Sequence, residues 1–193
     1  MIRLFAFLYK LDFKQLPSTV SLFRAIDKGF RLHSAHCPKC KAKGRLNYHD
    51  SYGRDLVAYE NGSVQENLIA IRRVYCSSCE TTSAILPDVI VPHKSYSILF
   101  ILCVLRAYFF KEMPVAALCS HYGIGVATLY AWKKQYLFHK MLDLGKLEKY
   151  LFERDPHLLR PLDVFLSSFL HSFFQRFGFS FLQHSLATVS DSS

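Results

Sequence analysis

Two C-x-x-C motifs constrain the fold of this chain more than any other feature of its sequence. Cys37 and Cys40 lie in HCPKC, Cys76 and Cys79 lie in YCSSC, and thirty-five residues separate the two motifs. A C-x-x-C turn delivers two thiolates to one ion, and two such turns supply the four ligands that a tetrahedral structural zinc site uses. The spacing therefore predicts a structural Zn²⁺ site with Cys37, Cys40, Cys76 and Cys79 as ligands.

The segment between the motifs has the composition of a β-hairpin. The stretches RLNYHDSY, RDLVAYE and NLIAIRRVY are rich in residues typical of strands, and Asn61-Gly62 is a turn signal between the last two. A hairpin would bring the two C-x-x-C turns together, as in a zinc ribbon. Two disulfides or a redox C-x-x-C are the alternatives. Disulfides are typical of secreted chains, and a redox motif normally occurs once, beside a βαβ pattern.

The other cysteines and the nearby histidines have simpler interpretations. Cys103 and Cys119 lie alone in apolar helical sequence, where a thiol behaves as a small hydrophobic group. His33 and His36 precede the first motif and are candidate substitute ligands, although contact with solvent or with phosphates is the preferred interpretation.

A proline-containing segment follows the second motif. In TTSAILPDVIVPHKSYS, Pro87 and Pro92 favour an extended path and predict a linker packed along the ribbon. Ser95 or Ser97 is then the candidate N-cap of the helix that follows.

The stretch GIGVATLYAWKKQY, residues 123–136, is typical of the second half of a helix-turn-helix. Gly123 can supply the positive φ that the turn requires. Buried positions are predicted at Leu118, Cys119, Tyr122, Ile124, Leu129 and Trp132. In a docked helix-turn-helix, the first residues of the second helix lie on base edges and later lysines contact phosphates. The predicted DNA-binding residues of this helix are Gly125, Val126, Ala127, Thr128, Tyr130, Ala131, Lys133 and Lys134.

The exposed face of this helix predicts weak sequence discrimination. It lacks the Arg, Asn and Gln side chains that make bidentate contacts to guanine or adenine, and Gly125 replaces the usual Ser or Thr cap. The alternative is a helical hairpin that packs against the C-terminal half without touching DNA. Local charge favours DNA, because residues 121–142 contain Lys133, Lys134 and Lys140 and no acid.

The charge balance indicates a polyanionic partner. Lys and Arg number 24 against 15 Asp and Glu, a formal net charge of +9, which favours nucleic acid over an acidic membrane surface. A second basic cluster surrounds the first C-x-x-C motif, with no acid between residues 28 and 49. A charge run is often only a solvated face, but this one coincides with a metal-held turn. We therefore predict phosphate contacts from Lys39, Lys41, Lys43 and Arg45.

No segment predicts a membrane span or a signal peptide. ILFILCVLRAYFF is too short to cross a bilayer and contains Arg106, and the N-terminal apolar run lacks a cleavage site. The expected location is the cytoplasm, in association with the nucleoid.

The tail at residues 159–186 is dense in Phe and Leu at helical spacing. It is expected to complete the core, with a dimer interface or a docking surface for a recombinase as the alternative. Too few residues follow the helix-turn-helix for a ribonuclease-H-like nuclease, and no nucleophile, base and orienting group stand together. We therefore expect no enzymatic activity.

The order of these parts along the chain resembles that of known protein families. A ribbon ending in IRRVYCSSCETTSAILPD, a proline-marked linker and a helix-turn-helix ending in GVATLYAWKKQY resemble the N-terminal DNA-binding region of bacterial insertion-sequence transposases. They are also similar to a family of small uncharacterised bacterial proteins with this ribbon and helix-turn-helix and no nuclease domain. The resemblance covers about residues 30–140 and implies a zinc-binding, DNA-binding protein of mobile-element ancestry.

Together these patterns predict an α+β protein that is mostly α, with a zinc ribbon, a helix-turn-helix and C-terminal helices. The expected domains are an apolar segment packing on the core (1–30), a zinc ribbon and linker (31–93), a helix-turn-helix (94–140) and a C-terminal helical segment (141–193). The expected partner is double-stranded DNA, with a homodimer or a transposase or recombinase as a further partner and no membrane. A protein-interaction module using the ribbon and aromatic helices, or a non-catalytic recombinase subunit, is the alternative.

Overall fold

The computed structural model describes residues 1–5, 17–144 and 166–183 of the chain. Its strands are β1 (Ile2–Leu4), β2 (Leu46–Glu60), β3 (Ser63–Cys76) and β4 (Thr81–Pro87). Its α-helices are α1 (Thr19–Lys28), α2 (Ile98–Phe109), α3 (Val115–Tyr122), α4 (Val126–Leu144) and α5 (Leu166–Phe177), and a short 3-10 helix spans Leu32–Ser34. The strands form one mixed sheet in the order β1-β4-β3-β2, in which β1 and β4 are parallel and the other neighbours antiparallel.

The β2–β3 hairpin dominates the sheet. Its strands are 15 and 14 residues long, and Asn61 and Gly62 join them with φ angles of 52° and 78°. Positive φ at both central residues is the geometry of a type I′ turn, whose twist matches that of the flanking strands. The turn predicted at Asn61-Gly62 is confirmed.

The prediction of a mostly helical protein is wrong. The described residues form an α+β structure in which a four-stranded mixed sheet stands beside five helices. Two strands come from segments that the sequence analysis did not assign to the sheet. Residues 2–4 belong to the predicted apolar N-terminal segment, and residues 81–87 belong to the predicted linker. The prolines argued correctly against a helix there, but Pro87 is the last residue of β4 and lies beyond Thr81–Ala84, the part of the strand that pairs with β3.

Helix α2 lies in the interior of the main hydrophobic core. Its N-cap is Ser97, whose Oγ accepts a hydrogen bond of 3.1 Å from the N–H of Phe100. Nine of its twelve residues are buried, and a helix buried on nearly every face belongs inside a fold. Arg106, near the end of the helix, is half-buried and forms an ion pair of 2.5 Å with Glu112. Among the described helices, none combines the length and the apolar character needed to cross a membrane.

The outer edge of β2 is paired with the segment that leads into α2. The N–H of Val57 donates to the carbonyl oxygen of Ser95 at 2.8 Å, and the N–H of Ser97 donates to the carbonyl oxygen of Val57 at 2.9 Å. These bonds cover part of an otherwise open strand edge. They also fix the start of α2 against the hairpin.

Both ends of helix α1 are attached to the hairpin. The N–H of Thr19 donates to Oε1 of Glu60, beside the hairpin turn, at 2.8 Å. At the other end of the helix, the guanidinium of Arg72 donates to Oδ1 of Asp27 at 2.8 Å and to its backbone oxygen at 2.6 Å. Residues 6–16 of the predicted apolar N-terminal segment lie outside the described residues.

The described part of the Phe-rich tail packs into the main core. Its buried side chains are Leu166, Leu170, Phe173, Phe181 and Leu182. Ser167 donates a hydrogen bond of 2.7 Å to Oδ2 of Asp88, which joins α5 to the segment after β4. The expectation that the tail completes the core is confirmed for these residues, and its parts at 159–165 and 184–186 lie outside the described range.

The turn after α3 provides a test of backbone conformation alone. Gly123 has a φ of 60° and a ψ of 35°, and a Cβ added there would have no atom within 4 Å. Because only the left-handed conformation opposes a side chain, Gly123→Ala is expected to lower the free energy of unfolding by about 1 kcal/mol. Chemical denaturation measures this change.

The matched control is Gly29, the C-cap of α1, whose φ is −71°. Gly29→Ala is expected to leave the free energy of unfolding unchanged or slightly higher, because an ordinary φ accepts alanine and the unfolded chain loses entropy. Equal losses from the two substitutions would contradict this account of the turn.

Candidate metal centre and nucleic-acid surface

Four cysteines converge where the hairpin strands meet the two C-x-x-C turns. The sulfur atoms of Cys37, Cys40, Cys76 and Cys79 all lie within 4.8 Å of one another and could hold a metal ion. The Cys37 and Cys79 sulfurs are 3.6 Å apart, and the Cys40 and Cys76 sulfurs are 3.7 Å apart. A tetrahedral site with Zn–S bonds of about 2.3 Å places neighbouring sulfurs about 3.8 Å apart. The cluster therefore has the dimensions of a tetrahedral thiolate site.

Disulfides and histidine ligands, two alternatives raised by the sequence, do not fit this geometry. All six cysteines are free, and the close sulfur pairs are far beyond the bond length of about 2.05 Å in a disulfide. His33 and His36 are not members of the ligand group found among the described residues. Cys103 and Cys119 are each 7% exposed in the main core, which confirms their prediction as buried thiols.

The two C-x-x-C turns share one backbone geometry. The N–H of Lys41 donates to the carbonyl oxygen of Cys37 at 2.9 Å, and the N–H of Glu80 donates to that of Cys76 at 2.9 Å. Lys41 and Glu80 both adopt a left-handed φ, of 63° and 55°. Each turn therefore closes on its first cysteine and turns sharply after its second, which brings the two thiols of a pair to one point.

Strand pairing brings the second turn to the first. Leu46, at the start of β2, is the register partner of Cys76 at the end of β3. Just beyond this pair, the N–H of Ser77 donates to the carbonyl oxygen of Arg45 at 2.9 Å. The thirty-five residues between the motifs therefore return the chain to its starting point, because most of them form two paired strands.

A small hydrophobic cluster supports the thiols separately from the main core. Its buried members are Cys37, Leu46, Val74, Cys76 and Ile85. Partly buried residues packed against it are Ile2, Leu4, Phe30, Leu32, Ala35 and Cys79. Cys40 is exposed, so the thiol group reaches solvent on one side and apolar contacts on the other.

The thiols have opposed acidities. Burial raises the pKa of Cys37, but backbone N–H groups of its turn and the thiols of Cys79 and Cys40 outweigh burial and lower that pKa to about 6. The N–H of Ala42 lowers the pKa of Cys40, but burial and the neighbouring cysteines raise it to about 11. A hydrogen bond with Thr81 lowers the pKa of Cys79. Once one thiol ionises, its neighbours resist losing their protons, and a bound cation would remove that resistance.

Four cations surround this metal centre. The predicted phosphate contacts Lys39, Lys41, Lys43 and Arg45 are all exposed. None of them forms an ion pair with another described residue. The end of the hairpin that carries the thiols is therefore positively charged and open to a polyanion.

Helices α3 and α4 are joined by residues 123–125, and the interior positions predicted for them are confirmed. The exposed fractions are 0% for Leu118 and Leu129, 4% for Trp132 and 5% for Tyr122. Cys119 and Ile124 are each 7% exposed. These side chains join α3 and α4 to the core around α2.

The first half of α4 exposes most of its predicted DNA-binding residues. Exposed side chains and backbone are found at Gly125, Val126, Ala127, Tyr130, Ala131 and Lys134, and Thr128 is half-buried. Val126 is 48% exposed and Tyr130 is 45% exposed. Apolar and aromatic side chains are therefore open to solvent on the first two turns of the helix.

Two lysines of α4 are placed differently from the sequence interpretation. Lys133 was predicted to contact a phosphate. It is half-buried, and its Nζ donates to the Tyr108 hydroxyl at 3.1 Å. Lys140 is 0% exposed, and its Nζ lies 4.8 Å from the ring centroid of Phe169. It adds no exposed charge, because the second half of α4 enters the core beside α5. Lys134 is the exposed lysine of the predicted face.

The metal centre and the α4 surface lie toward opposite ends of the hairpin. The Tyr59 hydroxyl and Nε2 of His121 share a hydrogen bond of 3.0 Å, and the Tyr59 and Tyr122 rings are 5.1 Å apart. Tyr59 therefore attaches α3 near the hairpin turn, whereas Leu46 lies beside the thiols. The strand path between Leu46 and Tyr59 is about 40 Å at about 3.3 Å per residue.

The sequence did not single out Tyr108, Arg54 or Lys94. Tyr108 accepts a hydrogen bond from Lys133, but in the sequence it is one more aromatic residue of the apolar segment that forms α2. Arg54 and Lys94 meet although thirty-nine residues lie between them, since the Arg54 guanidinium donates to the Lys94 carbonyl oxygen. No local motif marks such a pair, and only alternation along β2 indicated that Arg54 shares a face with buried residues.

The chain was compared with known protein families, curated proteins and solved structures. A family model described as a domain of unknown function, DUF6431, matches residues 37–124. The matched segment contains all four cysteines, the hairpin and α3, and it ends before α4 begins. No curated protein and no solved structure matches the chain.

Cysteine substitutions test whether the four clustered thiols hold a metal ion. Cys76 is 0% exposed and supplies one of the four clustered sulfurs, so Cys76→Ala is expected to lower the metal content from about one ion per chain to nearly none. Cys119→Ala is the matched control, because Cys119 is a buried thiol outside the cluster. It should retain its metal. Elemental analysis of both purified variants measures the ratio, and a full equivalent of metal in Cys76→Ala would contradict the assignment.

Proposed function

We propose that the protein binds double-stranded DNA and that its four cysteines hold a structural Zn²⁺. The observation that carries the proposal is the pair of exposed surfaces at opposite ends of the hairpin. One is the basic cluster around the thiols, and the other is the first half of α4 with Lys134. In a chain of net charge +9, both surfaces suit the phosphate backbone. The role that fits is a regulator or accessory factor of transposase ancestry, in the bacterial cytoplasm with the nucleoid.

Ligand chemistry supports zinc as the metal. Four thiolates are soft ligands, and a tetrahedral set of four sulfurs is typical of zinc or of iron–sulfur centres. Sulfurs 3.6 and 3.7 Å apart suit a single ion of zinc's size. With four protein ligands no position is left for a substrate, so the ion would be structural and would stabilise the two turns that carry the lysines.

Helix α4 supplies the proposed contacts to bases. Val126, Ala127 and Tyr130 are exposed on its first two turns, where the second helix of a docked helix-turn-helix faces the major groove. Their apolar surfaces suit the methyl group of thymine better than the hydrogen-bonding edge of guanine. Lys134, one turn further, would contact a phosphate. Affinity would then come mainly from charge, with modest preference among sequences.

The length of the hairpin sets the proposed distance between contacts. The strand path of about 40 Å from the metal centre to α3 is close to one turn of B-DNA, which spans about 34 Å. Lys39, Lys43 and their neighbours would therefore contact phosphates about one helical turn away from α4. Binding through both surfaces requires a duplex longer than one turn.

A protein-interaction module is the second candidate, and exposed apolar side chains on the hairpin favour it. Leu68 is 76% exposed, Tyr48 is 51% exposed and Tyr52 is 40% exposed. Exposed apolar groups of this size are common at protein interfaces. A second copy of the chain, or a transposase or recombinase that this protein assists, would be the partner. Such an interface would respond little to salt, whereas DNA binding falls steeply with ionic strength.

Salt dependence of DNA affinity tests the proposal. Fluorescence anisotropy of a labelled duplex of about two helical turns is measured over a range of salt concentrations. Lys134→Ala is expected to weaken binding and to reduce the slope of log affinity against log salt by about one. Lys39→Ala/Lys43→Ala is expected to reduce that slope by about two, because each lysine would release its own counterion.

Lys28→Ala is the matched control. Lys28 is an exposed lysine on α1 that belongs to neither surface, so its loss should leave the slope unchanged. Equal slopes in wild type, Lys134→Ala and Lys39→Ala/Lys43→Ala would refute these contacts. An absence of binding at low salt by the folded protein would refute the DNA proposal itself and favour the interaction module.

A further inference from the structure

A cleft of about 420 Å³ lies outside the two surfaces proposed for DNA contact. Residues of β2, of β4 and of the loop at residues 92–95 line it, together with Met1. Three of its lining side chains can carry positive charge: Arg54, His93 and Lys94. No lining residue is a carboxylate. The cleft is therefore electropositive although the sequence around it contains no basic run.

A constrained turn presents the loop to the cleft. The N–H of Lys94 donates to the carbonyl oxygen of Val91 at 3.2 Å, which leaves Pro92 and His93 as the central residues. Pro92 at the first of these positions and a φ of 62° at His93 indicate a type II turn, in which the second central residue is usually glycine. A histidine with left-handed φ persists only where its surroundings fix the backbone.

Arg54 fixes this turn from the opposite strand. Its Nη2 donates to the carbonyl oxygen of Val91 at 2.8 Å and also to that of Lys94. Both ends of the turn are therefore held by one guanidinium. These hydrogen bonds place His93 and Lys94 beside Arg54.

Arg54 and Lys94 are partly buried cations without a carboxylate partner among the described residues. The Lys94 ammonium donates to the side-chain oxygen of Gln135 on α4, which is neutral. Burial lowers the pKa of Arg54, although Tyr52 opposes this effect, and burial lowers the pKa of Lys94 to about 8. Both cations are therefore partly desolvated, and no carboxylate of the described residues compensates their charge.

Donors remain for an additional acceptor. A guanidinium has five N–H donors and an ammonium has three. The carbonyl contacts of Arg54 use Nη2 alone, and the contact with Gln135 uses one hydrogen of Lys94. A phosphate group has several acceptor oxygens arranged around one centre, and the planar fork of arginine matches two of them.

We propose that this cleft binds a phosphate group through Arg54, His93 and Lys94. The site lies apart from the residues proposed for DNA contact on α4 and around the metal centre, and it does not depend on them. Two sources share the required chemistry: a free phosphate, alone or on a small molecule, and the backbone of a nucleic acid. The bound group would supply the negative charge that the two desolvated cations lack.

Titration with inorganic phosphate tests the proposal. Spectra of the ¹⁵N-labelled full chain are recorded at constant ionic strength, with chloride replacing phosphate. The amide resonances of the loop containing His93 and Lys94 are expected to shift and to saturate. Lys94→Gln should weaken this binding by about tenfold or more, since hydrogen bonds to charged groups carry that much affinity. Lys28→Gln, which removes an exposed lysine of α1, should leave it unchanged.

A second titration with duplex DNA identifies the source of the phosphate. If the duplex shifts the same resonances and Lys94→Gln weakens its binding, the cleft takes a backbone phosphate. If inorganic phosphate saturates the loop and the duplex leaves it unmoved, the cleft takes a free phosphate group. Shifts that increase linearly with phosphate, or equal affinities in wild type and a folded Lys94→Gln variant, would overturn the proposal.

Discussion

The pairing of β2 with β3 fixes the position of every other element that bears on function. At one end the Leu46–Cys76 pair brings the two C-x-x-C turns together. Toward the other end, backbone bonds of Val57 hold the start of α2, and Tyr59 contacts α3. The type I′ turn sets this register, and a shift of one residue would turn the buried side chains of both strands to solvent.

The described residues pack around two separate hydrophobic clusters, one at each end of the hairpin. The thiol cluster rests on its own small apolar cluster, whereas α2, α3, α4 and α5 share the main core. The proposed Zn²⁺ would therefore stabilise the turns that carry Lys39 and Lys43 without contributing directly to the packing around Trp132. The hairpin is the mechanical connection between the two clusters, and it determines how far apart the two proposed DNA contacts lie.

Features specified by local chemistry could be predicted from the sequence. The ligand cysteines, the Asn61-Gly62 turn and the burial of Leu118, Leu129 and Trp132 follow from spacing and periodicity. Features that need distant segments could not. Residues 2–4 are a strand because they pair with residues 85–87, and residues 81–84 pair with β3, so the sheet was underestimated. Lys133 and Lys140 depart from their expected roles because Tyr108 and Phe169 approach from other helices. The cleft between Arg54 and Lys94 likewise exists only after folding.

X-ray absorption spectroscopy of the purified protein at the metal edge shows whether the four cysteines hold a single Zn²⁺ ion. We predict a zinc edge and four sulfur neighbours at about 2.3 Å, as a closed tetrahedral thiolate site requires. That result would establish the ion that is proposed to hold the two turns together. Nitrogen or oxygen neighbours in place of any sulfur, an iron edge, or no bound metal in a folded protein would contradict it.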